Sequence, residues 1–500
     1  MSLPVFLLWL VSIPLCIHAA PPPTGFFIDC GATSEWKDGG IKWITDEGFI
    51  HVGEKKTIDK PYLLPYLSTL RYFPDTSARK YCYTFPATKG GKYLIRTLYY
   101  YGGFDGGTVP PVFDQIVDGT KWSTVDTRDN YAKGLTSVYE VVVGATGKSL
   151  SLCLGRNEQT TSSPFISALQ MLSLGGSMYN ATDFTKYALS AVARGNFGDE
   201  KSISYPDDPF DRYWQGFAMA ESPVVESHWN VSPSDFWDAP PATVFNKGFT
   251  ASRGKTLQVE WPPVALPNAS YYVALYFQDN RTPSPYSWRV FDVAINGIAF
   301  YKDLNVSTDG VSVFSANWPL SGKTTIALTP SSDSPVGPII SGAEIYQIFR
   351  YGGRTLTRDV IAMDALARGF VNPPVDWTGD PCLPENHSWT GVTCSGGKLA
   401  RVISLNLTHL GISGHISNSI SNLTAINSIV LDGNKLEGEI PDMASLQQLV
   451  TLNLSYNRLT GKVPESLGHL ANLKELQLHD NELEEPVPES VKKKFTDLQL

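Results

Sequence analysis

Several features are scarce in this 500-residue chain, and each scarcity removes a class of function. Beyond residue 20 no apolar run approaches the roughly 20 residues that a membrane-spanning helix needs. Basic residues are scattered apart from Lys492-Lys493-Lys494, and the net charge is −9, so the clustered basic face of a nucleic-acid partner is missing. There is no G-x-S-x-G, no H-E-x-x-H and no kinase signature. "GATGKS" (Gly144–Ser149) lacks the first glycine of a phosphate loop and is expected to be a hairpin turn, while "GGFDGG" (Gly102–Gly107) is expected to be a loop at a strand end. The pair Asp207-Asp208 has the chemistry of a glycosidase, but in a proline-rich loop it is expected to be a solvated turn. The expectation is a protein that is not an enzyme and has no cofactor or metal. Cysteines are few: six, one of them (Cys16) within the first 20 residues. Cys382 and Cys394 stand twelve positions apart with only His387 near them, too few ligands for zinc, which favours a disulfide.

What is present points to export. The apolar stretch Leu3–Leu15, then Ala19-Ala20 and "PPPTG", is expected to be a secretory signal peptide over residues 1–20. Eight N-x-S/T triplets agree with passage through an oxidising compartment: Asn180, Asn230, Asn268, Asn305, Asn386, Asn406, Asn422 and Asn453. In that setting Cys82 and Cys153, both in expected strands, are expected to pair and leave Cys30 as a buried thiol.

Residues 24–350 are rich in aromatic residues and carry short alternating runs broken by Gly, Pro and Asp, a β pattern. The pattern occurs twice. "VFDQIVDG" (Val112–Gly119) returns as "VFDVAING" (Val290–Gly297), "LYY" (Leu98–Tyr100) as "LYF" (Leu275–Phe277), and "PFISALQ" (Pro164–Gln170) as "PIISGAE" (Pro338–Glu344). In the second copy Phe291, Val293 and Ile295 share one strand face, and Asn296-Gly297 supplies the positive φ angles of a tight hairpin. Strands with one apolar face need a second sheet to cover it, so each copy is expected to be a β-sandwich.

At these residues the chain resembles the tandem malectin-like region of plant receptor-like proteins and kinases, through "FFIDCG", "TLRYFPD", "YCYTFP", "KYLIRTLYYYGGFDG", "PFISAL" and "YPDDPFDRYW". The resemblance covers roughly 320 residues. "FDVAINGIAFYKDLNV" is also similar to a hairpin of animal malectin, a lectin for a diglucosylated glycan. By motif position it implies ligand contacts at Tyr72 and Phe104 in the first copy, with Tyr101, Asp105 and Asp333 as further candidates. Ser162 and Asp333 stand only near the last aspartate position, and core packing or plain loop structure is the alternative for Tyr72, Tyr101 and Phe104. Gly103 replaces a pocket tyrosine, and "QDNR" (Gln278–Arg281) removes two aromatics from the second copy's loop.

After a linker over 351–375, in which Thr357 is expected to cap a helix with Val360, Met363 and Ala367 on one face, come Trp377, Cys382, Trp389 and Cys394. This segment, 376–397, resembles the N-terminal cap of plant leucine-rich repeats. From 398 onward "VISLNLTHLGISGHI", "INSIVLDGNKLEGEIP", "LVTLNLSYNRLTGKVP" and "LKELQLHDNELEEPVP" repeat L-x-x-L-x-L-x-x-N, with Leu410 where Asn434, Asn457 and Asn481 follow. Phe495, Leu498 and Leu500 take the first leucine positions of a truncated fifth repeat, so the chain is expected to be part of a longer receptor. One outward column should read Asn406, Val430, Asn453, Gln477, and glycans on two of the four would make the inner face a poor peptide site.

The expected fold is mainly β: two tandem malectin-like sandwiches, 24–175 and 190–350, then a short α/β leucine-rich repeat solenoid with an N-terminal disulfide cap. The resemblance implies an extracellular recognition module, in the apoplast or at the plasma membrane. It would bind cell-wall oligosaccharide, or alternatively an extracellular peptide at the cleft between the copies, and signal with a membrane receptor kinase. A wall-active glycoside hydrolase is the third reading.

Overall fold

The computed structural model describes residues 23–495, apart from 221 and 398. The leader expected over 1–20 and the repeat positions Leu498 and Leu500 lie outside the described residues. The two duplicated hairpins pair Phe113–Val117 with Thr120–Val125 and Trp288–Ile295 with Ile298–Ser307. Their turn residues have positive φ, 48° and 79° at Asp118-Gly119 and 51° and 76° at Asn296-Gly297, matching the right-handed twist of the strands they join. In the second hairpin Phe291, Val293 and Ile295 are buried and Asp292 is exposed. In the first all five residues of Phe113–Val117 are buried, polar ones included. Gln115 meets that burial by accepting from Thr97 and Tyr99 and donating to Ser123.

The two copies are not separate sheets joined by a linker. One eleven-stranded sheet runs through both, with Lys92–Tyr99 and Ser137–Gly144 of the first copy followed by Tyr187–Phe197, Gly342–Arg350 and Leu266–Phe277 of the second. Each copy adds a four-stranded sheet of its own: 80–86, 149–155, 113–117 and 120–125 in the first, and 257–260, 325–330, 288–295 and 298–307 in the second. The "GATGKS" segment links Ser137–Gly144 to Ser149–Gly155, which belong to different sheets, so it crosses between layers and is not a hairpin turn. Cys82 and Cys153 are direct register partners and form a disulfide, and Cys30 is a buried free thiol.

The helix spans Thr357–Gly369, but Leu356 holds the N-cap position and no side chain caps it. Its buried face is Asp359, Ala362, Met363 and Leu366, turned from the expected Val360–Met363–Ala367 stripe. The cause is polar: the Asp359 carboxylate accepts from Arg401 Nε at 2.9 Å and from the Val402 amide at 3.0 Å, which draws this residue inward. Beyond it, Val402–Asn406, Ser428–Val430, Thr451–Asn453 and Glu475–Gln477 form a parallel ladder. Ser413–His415, Lys435–Glu439, Arg458–Lys462 and Glu482–Glu484 form a second one. The last described helix is Glu489–Lys494, with Val491 buried and Phe495 packed on the repeat core.

The β region and the repeats meet in a dense polar joint. Cys382 and Cys394 are bridged, and Trp377 stacks on Trp389 at 5.3 Å. A Cβ on Gly379 would lie 2.9 Å from Cys82 Sγ, so the backbone passes directly over the other disulfide. The buried Lys80 ammonium donates to the carbonyls of Asp380 and Leu383 at 2.6 and 2.8 Å. Burial pulls its pKa down to about 8, against the pull of Asp380 and Asp376. Asp376 accepts from the Arg79 amide, and His387 Nε2 donates to the Arg156 carbonyl.

Within the repeats the recurring asparagines form a ladder of their own. Asn457 Oδ1 accepts from the Leu436 amide, while Nδ2 donates to the carbonyls of Leu431, Leu454 and Ser455. Asn434 and Asn481 repeat the arrangement one turn either side. Leu410, at the first position, is 46% exposed. Asn457→Ala strands several buried backbone groups and should cost about 2–4 kcal/mol in denaturant unfolding. Leu410→Ala should stay within about 0.5 kcal/mol; equal losses at both positions would contradict the ladder.

Candidate functional site

Ionisable residues stand in the middle of otherwise apolar strands of the shared sheet. Gln170 is the register partner of Arg96, Arg96 of Glu140, and Arg194 of Glu344. Charges buried this deeply are tolerated only when paired and hydrogen-bonded. Arg96 binds Glu140 Oε2 at 2.9 Å, Gln170 at 2.5 Å and Asp211 at 3.0 Å. Arg194 bonds the other Glu140 oxygen and reaches Glu344 at 3.2 Å and the Tyr346 hydroxyl at 2.6 Å. Burial pushes the Glu140 carboxyl upward, but the guanidinium groups of Arg194 and Arg96 outweigh it and hold its pKa below the ordinary value. The network continues through Tyr179, which donates to Glu344 at 2.8 Å, and through Arg212, which binds Asp208 at 2.8 Å and the Asp238 carbonyl at 2.7 Å. Asp208 also accepts from Trp214 Nε1. Of the pair expected in a solvated turn, Asp207 is exposed, whereas Asp208 is buried against Arg212 and Trp214.

Above this floor lies a cleft of about 690 Å³ between the copies. One wall comes from the first copy: Ile41, Leu64 and Tyr66, the last stacked at 4.6 Å on Trp43, which stacks in turn on Trp36 at 5.6 Å. The other wall comes from the second: Tyr205, Pro206, Tyr213 and Gln215. Tyr213 is 54% exposed and its hydroxyl donates to Ser202. Asp38 and Gly39 stand at the lip. Aromatic walls over a few fixed polar groups are the usual makeup of a small-ligand or peptide site.

The structure gathers four of the five residues implied by the resemblance. Tyr72 and Phe104 are 5.1 Å apart, Tyr101 and Phe104 5.5 Å, and Asp105 accepts from the hydroxyls of Tyr101 and Ser162. Their faces, however, meet other rings. Tyr101 is 1% exposed and Phe104 7%, both packed against Phe165, and the Tyr72 hydroxyl donates to Glu54. Beside them opens a hollow of about 760 Å³ lined by Lys56, Lys60, Tyr100, Gly103, Phe104 and Tyr131, with the Lys60 ammonium 5.0 Å above the Tyr100 ring. Asp333 is not brought to this cluster; it sits on an exposed turn of the second copy and bonds Ser331 and Ser332. In the "QDNR" loop Asp279 is buried between Arg281 and Arg289, whose contacts outweigh its burial and hold its pKa at about 2. A cleft between the copies was the alternative site expected from the sequence, but the residues that build it were not named there. Its signal was the lone ionisable residue in "YLIRTLY", "VYEVVV", "AVARGNF" and "SGAEIYQIF".

The eight asparagines of the N-x-S/T triplets fall at the surface, Asn453 half-buried and the other seven exposed. Asn406, Val430, Asn453 and Gln477 are register partners across the first repeat ladder.

The malectin-like domain family model matches residues 28–348, and a leucine rich repeat model matches 441–483. The chain is 29% identical over 445 residues to the Probable LRR receptor-like serine/threonine-protein kinase PAM74 of Arabidopsis thaliana, covering 85% of this chain and 49% of the relative. It is 30% identical over 417 residues to the Leucine-rich repeat receptor-like serine/threonine-protein kinase At2g14510 of the same plant, covering 80% and 47%. The chain thus spans about half the length of these relatives. Among solved structures, the ANX2 ectodomain from Arabidopsis thaliana superposes with a TM-score of 0.56 at 16% identity, over 65% of this chain and 96% of that one. A chain of the complex of plant peptide RALF23 with FER and LLG2 gives 0.54 at 18%, over 66% and 96%. At such identities the likeness is one of fold.

The network carries a pH signature. The buried Asp238 carboxyl accepts from Tyr272 and the Tyr179 amide, yet burial, and then the Glu344 charge, raise its pKa from 3.8 to about 6. Between those values the folded protein holds a proton that the unfolded chain has released, so stability present below pH 4 is lost as pH rises through 6. Asp238→Asn does not titrate. Denaturant unfolding should therefore show the variant gaining about 2–3 kcal/mol on the wild type between pH 4 and pH 7. A difference that stays flat would show that Asp238 keeps its ordinary pKa.

Proposed function

The chain belongs to the malectin-like domain family and carries leucine-rich repeats behind that domain, and we propose that it is the extracellular recognition module of a receptor-like protein. In this reading residues 24–175 and 190–350 are tandem malectin-like sandwiches fused along one sheet. Residues 376–397 are the disulfide cap of a short repeat solenoid that begins at 398. The ligand is a short extracellular peptide held in the cleft between the copies, and recognition is passed to a membrane receptor kinase.

The observation that carries this reading is the cleft itself. Its floor is a prepaired set of charges that needs no reorganisation to be covered, and its walls offer Tyr66, Tyr205 and Tyr213, rigid aromatic anchors of the kind that dominate binding energy. The peptide in the complex containing a structural neighbour supports the same ligand class. The geometry disfavours hydrolysis. A glycosidase needs a carboxylic acid with a raised pKa facing its substrate, whereas Glu140 in the cleft floor is held ionised by two guanidinium groups, and Asp238, whose pKa is raised, is buried and does not line the cleft. A second reading, cell-wall oligosaccharide, rests on the hollow beside Phe104, where the Lys60 ammonium and the rings of Tyr100 and Tyr131 line open space. The rings of Tyr101 and Phe104 are already spent on packing.

Titration of secreted plant peptides and of a wall-oligosaccharide array against wild type, Tyr66→Ala, Tyr213→Ala and Lys60→Ala separates the two. Peptide binding weakened at least tenfold by either tyrosine change, and untouched by Lys60→Ala, is the expected outcome. Oligosaccharide binding lost only in Lys60→Ala would move the site to the hollow and overturn the cleft reading.

A further inference from the structure

The groove where the β region meets the first repeat is lined in part by Asn406, the asparagine of an N-x-S/T triplet. We propose that an N-glycan on Asn406 seats its first sugars in this groove, bridging the joint and closing the entrance to the inner face of the repeats. The proposal rests on the export that the recognition reading requires.

The groove measures about 530 Å³, within the ~300–1,000 Å³ range of sites that take small ligands. Asn406 itself lines it. Opposite stand Arg79 from the β region, whose Nη1 donates to Ser388 Oγ at 3.0 Å, and Glu385, Thr393 and Ser395. These groups suit sugar hydroxyls, and Thr393, Gly396 and Gly397 remain exposed. Asn406 is exposed, so the folded chain leaves room for a sugar on it. Its Oδ1 accepts from the Thr408 amide at 3.1 Å and from Thr408 Oγ1 at 2.8 Å, which fixes the side chain. Its Nδ2, the atom that would carry the sugar, makes no hydrogen bond among the described residues. Asn453 provides the contrast. Its Oδ1 is held in the same way by Ser455, but it is half-buried and lines none of the cavities described here.

A seated glycan has two consequences. It would add a contact between Arg79 of the β region and residues 391–397 of the cap, and it would cover the first position of the Asn406–Val430–Asn453–Gln477 column. Ligand would then be directed away from the inner face.

The test uses the whole chain secreted from human cells, with glycopeptide mapping of all eight triplets. Native digestion with a peptide-N-glycosidase should release the Asn406 glycan at least tenfold more slowly than the glycan on exposed Asn268. Amide exchange at Gly396 and Gly397 should quicken at least threefold in Asn406→Gln and stay unchanged in Asn453→Gln. Slow release together with faster exchange supports the seated glycan. Equal release rates, unchanged exchange, or an empty Asn406 among occupied triplets would overturn it while leaving export intact. Eight empty triplets would overturn the export reading with it. The release measurement needs no variant, so a poorly folding Asn406→Gln would not leave the question open.

Discussion

Glu140 is shared between two arginines that belong to different copies, and much of the molecule depends on that sharing. Backbone pairing between the copies is brief: Val141 with Ser190 and Val142 with Leu189. The side chains extend this short seam, Arg96 binding one Glu140 oxygen and Arg194 the other. Removing either guanidinium would leave a buried carboxylate short of a partner, a loss of about 3–5 kcal/mol in comparable cases. A register irregularity between Ala191 and Ala193 matters here. Side chains alternate faces along a strand, so the one-residue shift sets which face Arg194 takes and brings it opposite Glu344. The cleft follows from this seam, because its two walls are carried by segments whose separation the ion pairs hold.

The joint to the repeats obeys the same rule with different groups. A buried ammonium, the Asp376 carboxylate and a histidine each bond a backbone amide or carbonyl across the boundary, while Asp380 holds the linker and cap backbone at Thr355, Cys382 and Leu383. Such bonds depend on the path of the chain more than on side-chain identity. The disulfide Cys82–Cys153, close under Gly379, backs the joint from the β side. The repeats are thereby docked against the first copy and not merely tethered behind the second.

Legibility divides along the range of the interactions. The hairpins at Asp118-Gly119 and Asn296-Gly297 and the repeat asparagines were readable because a turn's φ angles, or a side chain reaching backbone a repeat away, recur with a fixed local pattern. The shared sheet was not readable. Nothing local in "AVARGNF" says that Arg194 will find Glu140, 54 positions earlier. The helix face was misjudged by a related error: an apolar stripe was assumed, whereas Asp359 is buried because Arg401 awaits it. "GATGKS" has the composition of a hairpin turn, and only the pairing of its flanking strands with different sheets shows otherwise.

The residues singled out by resemblance were gathered as the motif positions implied, yet the local bonding there works against an open pocket. Asp105 draws in the Tyr101 hydroxyl from its own loop and the Ser162 hydroxyl from another, which ties the two loops together and turns the rings inward onto Phe165. With Tyr101 1% and Phe104 7% exposed, these rings have little surface left to stack on a sugar. The same fold position in the second copy is occupied by Asp279 and two arginines, a charged clamp without aromatic faces. Both loop ends have therefore put their polar groups into holding themselves shut. Along the seam between the copies aromatic surface stays available at Tyr66 and Tyr213, above charges that are already satisfied. Specificity there has to come from the shape, the hydroxyls of the walls and Asp38, since Arg96, Arg194, Glu140 and Asp211 of the floor are already paired with one another.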